Sequence, residues 1–110
     1  MTMTTNTQSN AMSVCNIATG HIVTNADAAA IVTVQLGFTP RIVRFRNVTD
    51  RISDEWYEGM ASASSIHTVA AGTVTLETTN GIAVSATANT FTLTATTMVA
   101  SKVFMWEAIG

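Results

Sequence analysis

From Thr19 onward, apolar and polar residues alternate with a period of two, in short runs cut by turn residues. This feature constrains the fold most, because strand side chains point alternately to two faces, whereas a helix repeats near 3.6. Residues 30–36 put Val32, Val34 and Leu36 on one face and Ile31, Thr33 and Gln35 on the other. Gly37 and Pro40 then bracket a turn. Over residues 41–48, Val43 and Phe45 share one face, while Arg44 and Arg46 share the opposite one. Further strands are expected at 21–24, 55–60 (with Trp56), 66–69, 73–79, 82–85, 91–95 and 102–109. In 73–79 the pattern places Val74 and Leu76 inward and Thr75, Glu77 and Thr79 outward. Asn80-Gly81 accepts positive φ and fits a type I′ turn joining 73–79 to 82–85 as a hairpin. A helical turn over 51–56, capped by Ser53, is the open alternative there.

Strands at intervals of roughly 8–12 residues predict an all-β fold. The expected architecture is a single antiparallel β-sandwich, jelly-roll-like, of about 7–9 short strands. Residues 1–15 read as an extended N-terminal arm, flexible or ordered on a neighbour, and 16–110 as the sandwich domain. Composition agrees: eleven valines and eight isoleucines against three leucines argue against a helical bundle. The 110 residues allow one core and leave no room for a second. Twenty threonines suit outward strand positions, being β-branched with a hydrated hydroxyl.

Charge is sparse, at 11% of residues with a net −2, and gives no reason to expect a nucleic-acid partner. No stretch approaches the ~18–20 apolar residues of a membrane helix, so no membrane partner is expected. A lone Cys15 cannot close an intrachain disulfide, and the polar start has no secretory-signal pattern, which together favour folding in a reducing cytosol. Eight of the twelve charged side chains (five basic, seven acidic) fall between Arg41 and Glu58. Asp50, Asp54, Glu55 and Glu58 do not follow calcium-loop spacing and read more simply as surface ion pairs. His21 and His67 lie far apart in sequence and lack metal-ligand spacing. No nucleophile elbow, phosphate loop or Cys-x-x-Cys pair is present, so no enzyme, metal or cofactor is expected. Trp56, Tyr57 and Trp106 could stack on sugars, but the tryptophans sit among apolar neighbours as core anchors would, leaving Tyr57 as the ring expected at the surface. Residues 102–109 are apolar on both faces: Phe104, Trp106 and Ala108 on one, Val103, Met105 and Ile109 on the other. Such a strand is either central in a sandwich or covered by another subunit.

The block Gly37-Phe38-Thr39-Pro40-Arg41-Ile42-Val43-Arg44-Phe45-Arg46-Asn47-Val48-Thr49-Asp50 resembles a segment of small structural proteins of tailed bacteriophages. It is followed, as in that family, by Glu55-Trp56-Tyr57-Glu58-Gly59-Met60-Ala61, a Gly81-Ile82 step, Phe91-Thr92-Leu93 and a terminal Trp106-Glu107-Ala108. Thr90 departs from the pattern, where a glycine commonly precedes the aromatic residue. The resemblance covers residues 19–110 and implies a non-enzymatic β-sandwich module, often trimeric, that decorates or cements phage heads or sits on tail appendages. It implies a virion location after assembly in the host cytoplasm, with the major capsid protein or other virion subunits as partners. Copies are then expected to associate, as a trimer, through Val103, Met105 and Ile109. Arg41, Arg44, Arg46 and Arg51, together with the arm, are the expected shell contacts. The alternative is a tail-fibre or spike module binding host surface glycans through Trp56 and Tyr57.

Overall fold

A computed structural model describes residues 16–110, and the expected arm at 1–15 lies outside the described residues. The described residues form eight strands and no helix: β1 (Ile17–Val23), β2 (Val32–Gln35), β3 (Ile42–Asn47), β4 (Ile52–Tyr57), β5 (Ser64–Thr68), β6 (Val74–Ser85), β7 (Thr90–Leu93) and β8 (Val103–Ile109). Every pairing is antiparallel, and the strands make one sheet in the order β1-β8-β3-β4-β5-β6-β7-β2. The all-β antiparallel fold expected from the alternation is what the chain adopts, with the sheet curled so that its two ends form opposing layers.

The curl originates in β6. Its first part pairs with β5, and its last residues, Ala83 to Ser85, pair with β7. Ser65 faces Glu77, but the adjacent Ser64 faces Ile82, so residues 78–81 loop out of the ladder. A bulge of this kind bends a strand and sharpens its twist. The expected hairpin at Asn80-Gly81 is therefore corrected: β6 continues through both residues as one bulged strand, and neither has positive φ. Gly81 is needed for close approach instead, since a Cβ there would overlap the Ser64 carbonyl. Glu77 holds the loop: its Oε1 accepts hydrogen bonds from the Asn80 amide (2.8 Å), the Thr79 amide (3.3 Å) and the Thr79 hydroxyl (3.1 Å).

Two further expectations change. Residues 51–56 form no helical turn, because β4 pairs with β3 at every position from Ile52↔Asn47 to Tyr57↔Ile42, and Ser53 faces Arg46 instead of capping. Val74 and Leu76 are exposed, at 59% and 66%. Their pairing with Thr68 and Ile66 puts them on the outward face that Ser53 and Glu55 share.

The core lies between the layers. Val43 and Phe45 of β3, Trp56 of β4, and Phe104 and Ala108 of β8 meet Ile82 of β6, Phe91 and Leu93 of β7, and Met98. Phe45 and Phe104 pack in a tilted arrangement with centroids 5.4 Å apart within one layer, while Phe91 meets Trp106 edge-on at 5.1 Å across the two. Edge-to-face contact is favourable because the positive ring edge meets the negative face. Trp56 completes its burial by donating Nε1–H to the Ala61 carbonyl at 3.2 Å.

Candidate functional site

Strand parity assigns the outward face of β1-β8-β3-β4 directly. Inward residues of β3 are Val43, Phe45 and Asn47, which leaves Ile42, Arg44 and Arg46 outward. On β8, burial of Phe104 and Ala108 turns Val103, Met105, Glu107 and Ile109 outward. The registers then line these side chains up in rows across the sheet. One row is Ile17, Ile109, Ile42 and Tyr57; the next is Thr19, Glu107, Arg44 and Glu55; the third is His21, Met105, Arg46 and Ser53. Val23 beside Val103 begins a fourth. The face is thus apolar at both ends, with a charged band between.

Within the band, Arg44 Nη1 donates to Glu107 Oε1 at 2.7 Å, and the Tyr57 hydroxyl donates to Glu55 Oε2 at 2.7 Å. Glu107 first, and Tyr57 second, hold the Arg44 guanidinium even more firmly protonated than usual. Arg46, one row on, is exposed and has no side-chain partner among the described residues. The band lines a shallow depression of about 670 Å³ that includes Thr19, His21, Arg44, Arg46, Met105 and Glu107.

The three expected interface residues, Val103, Met105 and Ile109, do share this face; Met105 is 45% exposed and the other two are half-buried. The four arginines do not form one patch. Arg44 and Arg46 lie together on β3, whereas Arg41 precedes the strand, with Nε 3.9 Å from Glu58 Oε2. Arg51 closes the β3–β4 turn at the far end, with φ of 59°. Trp56 and Tyr57, consecutive on β4, point to opposite faces; Trp56 is in the core and Tyr57 is half-buried on the outward one. No single aromatic platform results.

On the inner side, the cross-strand register makes a polar cluster that linear spacing did not reveal. Asp54 faces His67 across β4 and β5. Its buried Oδ1 accepts from the Ser65 hydroxyl at 2.8 Å and lies 2.9 Å from His67 Nδ1. The carboxylate satisfies both neighbours, and Ser65 donates to Asp54, not to the imidazole that would have to activate it as a nucleophile. Asp50, which shares a surface depression with Asp54 and His67, is held below the usual carboxylate range, chiefly by the Lys102 ammonium 3.0 Å away and also by Asn47. Among the described residues, no group of three or more His, Cys, Asp or Glu is placed to hold a metal.

Ile17 and Val23, exposed at 62% and 65%, extend the outward face beyond what the sequence reading identified. The signal was present in Ile17, Thr19, His21 and Val23, alternating with Ala18, Gly20 and Ile22, but Gly20 interrupts the apolar run. No family model, curated protein or solved structure matches the chain.

Proposed function

We propose that this protein is a structural subunit of a bacteriophage particle, decorating or cementing the capsid as a homo-oligomer. One observation carries the reading. The outward face of β8 presents Val103, Met105 and Ile109 near Ile17, Val23 and Ile42, apolar side chains gathered at the two ends of a surface whose middle carries the Arg44–Glu107 pair and Arg46. Burial of apolar surface contributes roughly 25 cal/mol per Å², and exposed apolar side chains gathered on one face of a small domain point to an interaction site. A closed ring of copies would satisfy this contact, and a trimer is the closed form that the resemblance implies. Arg46 and Arg51, both exposed, are the arginines best placed to meet acidic groups of underlying shell subunits. The residue block at 37–61 that resembles phage structural proteins supports the same reading.

The glycan-binding alternative has less to draw on. Trp56 fills the core, and Tyr57 offers one half-buried ring already bonded to Glu55. The deciding experiment is immunogold electron microscopy of purified particles from cells expressing the chain. Regular labelling of heads is expected. Particles complete in every other component but free of the chain overturn the reading.

A further inference from the structure

β1 and β2 are the two edges of the open sheet, and they differ. β2 has four residues, short enough to discourage pairing with another chain. β1 has seven, with no proline, lysine, arginine or bulge to block an incoming strand. The Gly110 amide donates to the Asn16 carbonyl at 2.8 Å, and the Thr24 amide donates to the Lys102 carbonyl at 3.0 Å. Because the hydrogen-bonded pairs of an antiparallel ladder alternate, the even-numbered residues of β1 turn their N–H and C=O groups toward β8. Ile17, Thr19, His21 and Val23 turn theirs to the open edge, where no strand among the described residues meets them.

We propose that this edge pairs with β1 of a second copy, antiparallel about a two-fold axis at Gly20, to make one continuous sheet through two chains. The strand is self-complementary in that register. Ile17 faces Val23, Ala18 faces Ile22, Thr19 faces His21 and Gly20 faces Gly20, so like meets like in polarity at every position. The outward-turned backbone groups fall in the hydrogen-bonded pairs 17/23 and 19/21, as an antiparallel ladder demands. No ionisable side chain meets its own copy, since His21 lies opposite Thr19. The pairing also covers Ile17 and Val23, the two exposed large apolar side chains of β1, with each other. A two-fold contact of this kind uses one patch on both partners and closes on itself. It rests on the backbone groups of the β1 edge and not on the proposed function, although Ile17 and Val23 also border the outward face of β8.

Residue-resolved amide hydrogen exchange on the full chain, measured from about 10 µM to about 1 mM alongside sedimentation, tests the pairing. The Ile17, Thr19, His21 and Val23 amides should gain roughly tenfold or greater protection as the dimer forms, while those of Ala18, Gly20 and Ile22 are already protected in the monomer. Thr19→Pro removes an edge donor without touching the β8 ladder and should weaken association roughly tenfold or more. Three results overturn the proposal: a monomer at the highest concentration, association that leaves the four odd-numbered amides unprotected, or protection of those amides in a monomer, which would mean that residues 1–15 cover the edge.

Discussion

Gly20 and Trp106 lie directly opposite each other on β1 and β8, and the indole occupies the space that a Cβ on Gly20 would need. The same indole makes the edge-on contact with Phe91 that joins the two layers. Glycine ordinarily weakens a strand by roughly 0.5–1 kcal/mol relative to alanine. Here the sign reverses: Gly20→Ala displaces the ring and should destabilise the fold by about 1–3 kcal/mol. Urea unfolding followed by tryptophan fluorescence measures it, and a variant as stable as the parent would show that the ring can move without loss.

Met105 is the most exposed apolar side chain of β8, so a charge there bears on the proposed association and little on folding. Met105→Lys should leave the β spectrum and melting temperature close to the parent's. The association proposed for the β8 face should weaken by at least about tenfold, read by sedimentation equilibrium, and an unchanged association would remove Met105 from the contact.

Glu77 carries a carboxylate held below its ordinary range by the Asn80 and Thr79 amides and the Thr79 hydroxyl. A carboxylate whose value is depressed in the folded state stabilises above the unfolded-state value and loses that contribution as pH falls through the folded one. Stability should therefore decline below about pH 4.3, the ordinary glutamate value. Glu77→Gln keeps an acceptor at this position but removes the titration, so its melting temperature should fall less steeply from about pH 5 to about pH 2. Asp50, depressed by Lys102, contributes with the same sign.

Trp56 and Tyr57 separate packing from surface. Trp56→Ala should cost about 3–5 kcal/mol, as a buried aromatic does, whereas Tyr57→Phe should cost about 1 kcal/mol or less by losing its bond to Glu55. Paired denaturation curves decide between them; a large loss on Tyr57→Phe with a small one on Trp56→Ala would reverse the assignment of the two faces.

The two faces of β3 and β8 were legible in the sequence because their alternation is unbroken. Val43, Phe45, Phe104 and Ala108 are buried, and Arg44, Arg46 and Met105 lie on the opposite face. β6 was not legible, for a physical reason: Asn-Gly signals a turn only when its backbone takes positive φ, and here Gly81 serves the approach of Ser64. Val74 and Leu76 alternate correctly, but alternation does not say which face looks inward; the pairing with β5 decides that. The outward surface was half legible. Its β8 residues stood out as a doubly apolar strand, whereas Ile17 and Val23 were hidden behind the glycine that accommodates Trp106. The Asp54–His67 contact joins residues that only the register of β4 and β5 brings together.

β6 belongs to both layers, and the core side chains of each are buried against the other, so parting the layers exposes both at once. Heat or denaturant should therefore melt the domain in one step, and a pull on either layer is felt at once in the other.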